Sequence, residues 1–215
     1  MVSRVVVVGA SGFGRECLDV LDAMVAAGDP IEIVGVLDDA PSEMNLQRLA
    51  ARGVAYLGTV ADWLQPGPEE VRFVLGIGSP QVRRVVAGRL EAAGLHPFTV
   101  IHPSAVVGSQ PGFAEGVVIC AGAVVSTNVS LGRYVHINPN ATVGHDSTLE
   151  DFVSVNPAAV VSGEVLVGQE TLLGAQSIVL QGLRIGRNTV VGAMSCVTKD
   201  VADNVVVKGV PARVD

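Results

Sequence analysis

The stretch Leu131-Gly-Arg-Tyr-Val-His-Ile137-Asn-Pro-Asn-Ala-Thr-Val143-Gly-His-Asp-Ser-Thr-Leu149 places an apolar residue at every sixth position. The same spacing continues in both directions without a break, from Ile101 through Val107, Phe113, Ile119 and Val125 to Val191 and Val197, seventeen positions in all. An α-helix repeats every 3.6 residues and a strand every 2, so neither keeps one face apolar at a spacing of six over such a length. A chain that turns a corner every six residues does. Glycine follows the apolar residue at 108, 132, 144, 168, 174, 186 and 192, and small or β-branched residues recur two places before it, as at Ala105, Ala123, Ala141, Ala159 and Thr189. The pattern predicts a parallel β-helix built from hexapeptides.

The composition agrees. Of 215 residues, 49% are hydrophobic but only 4% aromatic, which suits a narrow, uniformly stacked interior better than one filled by large rings. The net charge of −7 leaves fourteen scattered Lys and Arg, and the absence of a basic cluster argues against a nucleic-acid surface. Cys17, Cys120 and Cys196 form neither a CxxC pair nor an even set, so no disulfide framework or zinc knuckle is indicated. Neither a signal-peptide core nor an apolar run long enough to span a membrane is evident, and the expectation is a cytoplasmic protein.

The first hundred residues read differently. Arg4 to Val8 is a buried strand, Gly9-Ala-Ser-Gly-Phe-Gly14 a tight turn, Arg15 to Ala27 a helix and Ile31 to Leu37 a second parallel strand ending at Asp38-Asp39. Helix 42–52, strand 71–75 ending in Gly76-Ile-Gly-Ser79, helix 81–93 and strand 98–101 continue the alternation. A glycine-rich turn lets phosphate approach the N–H groups of a helix N-terminus, and a carboxylate closing the second strand can take ribose or base donors. The pattern G-x-x-G-x-G departs from the dinucleotide fingerprint, and the domain is about half the size of a dinucleotide fold. One nucleotide fits better than two. The boundaries expected are 1–98 for a Rossmann-like domain, 99–205 for the β-helix and 206–215 for a tail.

Residues that depart from the hexads carry the chemistry. His145 follows Gly144 and precedes Asp146, where other hexads hold Arg133, Gln169, Arg187 or Ala193. A neutral imidazole oriented by a carboxylate is a general base suited to neutral pH. His136, before an inward Ile137, is expected to point to solvent, and His102 before Pro103 to belong to a linker. Zinc chemistry on a β-helix needs three converging imidazoles, and the repeat offers two, so no metal is expected. No G-x-S-x-G elbow is present for a Ser nucleophile.

Gly9-Ala-Ser-Gly-Phe-Gly14, Leu37-Asp-Asp39, Gly76-Ile-Gly78, Gly144-His-Asp146 and the closing Lys208-Gly-Val-Pro-Ala-Arg213 together resemble the hexapeptide-repeat sugar acyltransferases in which a small Rossmann-like domain precedes a left-handed β-helix. The branch includes the bacillosamine-pathway acetyltransferase and sialic acid O-acetyltransferase-like proteins. The resemblance implies acetyl-CoA as donor, a homotrimer with active sites between neighbouring β-helices, and His145 as the base that takes a proton from the attacking sugar amine or hydroxyl, tuned by Asp146. It places Asn138 near the acceptor sugar, the backbone N–H of Gly163 near the thioester, and Ala175 and Ala193 along the pantetheine channel. It places Ser11, Gly12, Phe13, Asp38, Asp39 and Gly78 around the nucleotide of a nucleotide-sugar. Phe13 stands where the bacillosamine enzyme has His, and Ser154 where some members have a second His near acetyl-CoA. The expectation is an N-acetyltransferase of a nucleotide-linked amino sugar. Its rivals are an O-acetyltransferase of a sialic-acid-like sugar, a non-catalytic trimeric nucleotide-binding scaffold and, last, a γ-type carbonic anhydrase.

Overall fold

A computed structural model describes residues 2–65 and 70–215, which form two compact units, Met1–Val100 and Ile101–Asp215. The first is a parallel α/β unit. Strand β1 (Ser3–Val8) pairs with β2 (Ile31–Leu37) on one side and β3 (Arg72–Leu75) on the other, and β3 pairs with the short β4 (His96–Pro97), giving the order β2-β1-β3-β4. Val5 to Val8 are buried, as a central parallel strand requires. The chain reverses its direction of winding between β1 and β3, the position where open sheets of this kind bind ligands.

The helices are α1 (Gly12–Ala26), α2 (Glu43–Ala51), α3 (Val60–Leu64) and α4 (Pro80–Ala92). Helix α1 begins at Gly12 rather than Arg15, so the tight turn is only Gly9 to Ser11 and the remaining glycines form the first helical turn. Helix α3 has no counterpart in the sequence reading, because five residues are too few to show a period.

The second unit is a left-handed parallel β-helix of about six coils. Two-residue strands stack eighteen residues apart into three sheets. The six-stranded sheet runs from Val106–Val107 to Cys196–Val197, the five-stranded one from Gly112–Phe113 to Arg184–Ile185, and the eight-stranded one from Val100–Ile101 to Arg213–Val214. From Ile119 to Val197 every sixth residue is buried, while Ile101, Val107 and Phe113 in the first coil are half-buried. Each buried Val, Leu or Ile contributes on the order of 1.5–3 kcal/mol.

Backbone bonds join each coil to the next, as Thr142 N–H to Ala159 O at 2.9 Å and Gly144 N–H to Val161 O at 2.8 Å. A second inward row, two places before the first, holds mostly small or β-branched residues, and several of its hydroxyls bond to backbone within the core, whereas the buried Ser177 hydroxyl has no partner among the described residues. Ser147 Oγ donates to Ser162 O and accepts from Val165 N–H; Thr171 Oγ1 donates to Gly186 O.

The corners explain the glycines. Left-handed backbone recurs every six residues, at Asn128, Tyr134, Asn140, Asp146, Phe152 and onward, three places after the inward residue. The glycine immediately after the inward residue serves another need. A Cβ on Gly144 would lie 2.5 Å from Gly163 N and from Ser162 C, inside the backbone of the next coil.

Three expectations change. Val206–Lys208 pairs parallel with Val190–Val191 and Arg213–Val214 folds back antiparallel upon it, so residues 206–215 belong to the β-helix and cover its last edge. His136 is 1% exposed rather than solvated, in the outward row of the eight-stranded sheet where Val118 and Ser154 are also buried. His102 sits in the first corner, its Nδ1 accepting the Ser104 N–H at 3.0 Å, and its own N–H reaches Ile119 O in the next coil. It is part of the repeat rather than a linker.

Candidate active site

In the N-terminal unit three glycines from three segments meet at the carboxyl ends of β1 and β3. A Cβ on Gly9 would lie 2.5 Å from Gly76 O, one on Gly76 2.4 Å from Gly14 Cα, and one on Gly14 would overlap Gly9 O. These glycines let α1 pack directly on the sheet. Gly12 and Gly78, by contrast, have no atom within 4 Å of such a Cβ, and both are exposed. They are the open glycines of the crevice.

Ser11 occupies the N-cap of α1 without capping it by its side chain, whereas Ser42, Thr59 and Ser79 each accept an N–H of the helix they precede. No acidic residue lies in the first turn of α1. The end of that helix therefore presents partial positive charge toward the exposed glycine.

The two aspartates at the end of β2 have intramolecular partners. Asp38 Oδ2 accepts the Ala10 N–H at 2.7 Å, fixing the turn, and Oδ1 accepts the Ala40 N–H. Asp39 bonds to Arg89 at 2.8 Å and accepts the Val60 N–H at 2.9 Å. The Arg89 bond holds the Asp39 carboxyl below its ordinary value, with burial opposing and the Val60 N–H assisting.

The loop after β3 is pinned from beneath by the buried Arg83, which donates to Ile77 O at 2.9 Å and Gly78 O at 3.2 Å. Burial pushes its guanidinium down to about 9, with Cys17 acting weakly the other way. A cavity of about 810 Å³ lined by Arg4, Arg72 and His96 lies at the opposite, amino-terminal ends of the strands, away from these glycines.

In the β-helix one corner gathers His145, Asp146 and Gly163. Asp146 Oδ2 lies 2.7 Å from His145 Nδ1 and Oδ1 accepts the Asn128 amide at 2.9 Å. These two bonds, that of Asn128 first, hold the Asp146 carboxyl below the usual carboxylate range. An ionised Asp146 accepts the Nδ1–H and leaves Nε2 as the free, basic nitrogen. The imidazole lies across Gly163: a Cβ there would be 2.6 Å from both Nε2 and Cε1. Among the described residues the Gly163 N–H makes no hydrogen bond to a backbone carbonyl. His145 is 55% exposed, so its ring is open to solvent.

His145, Asp146 and Glu164 bring their ligand atoms within 4.8 Å of one another, all exposed. One imidazole and two solvated carboxylates differ from the imidazole-rich sets that hold catalytic zinc.

The remaining expected residues lie elsewhere on the same β-helix. Asn138, Ala175 and Ala193 sit on the corners that follow the eight-stranded sheet, a different edge of the prism from His145. Asn138 is 7% exposed and donates to Val155 O at 3.0 Å. Ser154 is buried in a strand of that sheet. Within one chain these residues do not converge on His145. Asn128 is a neighbour the sequence reading passed over, and its signal was its position eighteen residues, one coil, before Asp146.

Residues 4–90 match the PglD N-terminal domain family. Among curated proteins no sequence matches the chain. Of solved structures, the acetyltransferase domain of PglB from Neisseria gonorrhoeae FA1090 is 28% identical over 99% of each chain, with a TM-score of 0.87. The same domain in complex with acetyl coenzyme A aligns over 100% of each chain at a TM-score of 0.89. PerB from Caulobacter crescentus, in complex with CoA and GDP-perosamine, is 28% identical over 100% of this chain and 98% of its own, at a TM-score of 0.85.

An α/β unit with open glycines, followed by a β-helix with an oriented imidazole on one corner, defines the hexapeptide-repeat class of transferase fold. Over its whole length the chain is similar to hexapeptide-repeat sugar acetyltransferases, and its residues 4–90 carry the PglD N-terminal domain. Among the described residues no helix is long and apolar enough to cross a membrane.

Proposed function

We propose that the protein transfers the acetyl group of acetyl-CoA to the amino group of a nucleotide-linked amino sugar, with His145 as general base. The observation that carries this reading is the His145 ring, fixed by Asp146 at Nδ1, bare at Nε2 and lying against Gly163. The sugar amine attacks the thioester carbonyl carbon and a C–N bond forms. Negative charge collects on the carbonyl oxygen, where the Gly163 N–H is suited to donate. Nε2 takes the proton released by the amine, the C–S bond breaks, and the CoA sulfur leaves as thiolate and is protonated. The crevice around Gly12 and Gly78 takes the nucleotide phosphates, and the donor and acceptor chemistry agrees with the CoA and GDP-perosamine bound by PerB.

The proposed assembly is a homotrimer. The outward row of the six-stranded sheet reads Val106, Val124, Thr142, Val160, Ile178 and Cys196, a largely apolar stripe in which Val106 is 59% exposed. Such a stripe on a flat parallel face is what a second copy covers. The expected site residues occupy two edges of one prism, and a site between copies is the arrangement that joins them. The proposed location is the cytoplasm, where acetyl-CoA and nucleotide-sugars are made.

A panel of nucleotide-linked amino and hydroxy sugars, GDP-perosamine among them, tests the reading through CoA release and product mass. We expect turnover of amino sugars and a loss of about a hundredfold or more in His145→Ala. Turnover confined to hydroxyl acceptors would assign O-acetylation instead, and an unaffected His145→Ala would remove the base.

A further inference from the structure

We propose that Asn128 is a positioning residue that fixes the protonation pattern of His145 through Asp146, an assignment that rests on His145 being the base. Asn128 and Asp146 occupy the same corner position in successive coils, both with left-handed backbone at φ 58° and 59°. Their side chains therefore stack along the edge of the prism. The Asn128 amide donates to Asp146 Oδ1 while Oδ2 receives the His145 ring. With one oxygen engaged on each side, the carboxylate cannot turn without losing a bond.

Asp146 needs that restraint. It is about half exposed, its partner is its own sequence neighbour, and water competes for both oxygens. The next residue of the same corner row, Glu164, brings a second carboxylate within 4.8 Å of both Asp146 and His145. Like charge from Glu164 drives Asp146 away and offers the imidazole a second acceptor. An amide donor one coil below opposes this by holding Asp146 in place, which only a residue that donates can do. The Asn128 N–H is itself tied to Ser109 O at 3.0 Å, so the donor is anchored to the preceding coil.

Asn128→Gly isolates the side chain, because glycine already stands at equivalent corners at Gly116, Gly122 and Gly182 with the same left-handed backbone. Nitrogen-15 spectra of histidine-labelled protein report the tautomer directly. In the wild type we expect neutral His145 to carry its proton on Nδ1, and in Asn128→Gly a mixture of both tautomers. With acetyl-CoA and the fastest acceptor of the panel, kcat should fall about tenfold and KM for acetyl-CoA stay within twofold, as expected for a misaligned base. In an Asp146→Ala background, Asn128→Gly should cause no further loss.

A wild-type tautomer in Asn128→Gly, with His145→Ala inactive, overturns the positioning role and leaves the base intact. Full activity in His145→Ala overturns the base itself. An equal further loss in the Asp146→Ala background shows that Asn128 acts by another route and overturns the assignment.

Discussion

Glycine does opposite work in the two units. Around β1 and β3 the closely packed glycines, Gly9, Gly14 and Gly76, fill one another's missing side-chain space, and the glycines left over, Gly12 and Gly78, face outward into open space. In the β-helix, the space above Gly144 is taken by the next coil's backbone, but the space above Gly163 is taken by the ring of His145. On the proposed reading, the ligand-facing glycine of the aperiodic unit is the one with nothing over it, and that of the periodic unit is the one whose space is taken by a side chain outside the repeat.

Alanine substitutions break this comparison most directly at Gly14. A Cβ there collides with the carbonyl of Gly9, and neither the strand end nor the helix start can yield without parting α1 from the sheet. Gly14→Ala should destabilise the N-terminal unit by more than about 3 kcal/mol, at the severe end for overpacking. Gly12→Ala meets no atom and should change stability by less than about 1 kcal/mol. Urea unfolding of the two variants checks this, and equal midpoints would show that the two kinds of glycine are not distinct.

Gly163→Ala gives the next largest effect, and of the other kind. The atoms in the way are those of a half-exposed ring, so His145 moves and the coil does not. We expect an unchanged melting temperature and a fall in kcat of about tenfold or more, since small displacements of a reacting group are costly. A loss of stability without loss of rate would return Gly163 to the class of Gly144.

How much of this could be read in the sequence follows from the same contrast. The inward hexad row was legible because burial at a strict period leaves a mark at every sixth letter. The left-handed corners were not, because Asn128, Tyr134, Phe152 and Glu164 share a backbone conformation but no chemistry. His145-Asp146 was legible because its partners are adjacent in sequence, while Asn128, eighteen residues away, becomes a neighbour only once the coil length is applied as a contact rule. His136 was misread because alternation tells which way a side chain leaves the coil and not whether that face is covered. In the α/β unit the turn glycines were visible as a motif. Their division into packed and open was not, since it depends on Gly76, more than sixty residues away from the turn.

The smallest effect concerns Asp39, and it separates charge from packing at the rim of the crevice. Arg89 holds the Asp39 carboxyl below its ordinary value in the folded protein. A depressed folded pKa contributes stability that is complete above the unfolded value of about 3.9 and disappears as pH falls through the lower folded value. Both side chains are more than a third exposed, so solvent screening limits the pair to under about 1 kcal/mol. Arg89→Ala should therefore lower stability slightly at pH 7, with the difference closing as pH falls below the unfolded carboxylate value and shrinking in 1 M salt. The Val60 N–H would still hold the carboxylate, and Asp38 would still fix the turn through Ala10. If the difference instead persists unchanged at low pH, Arg89 supports the end of β2 by packing of its stem, and Asp39 is freer to meet a ligand than its ion pair implies.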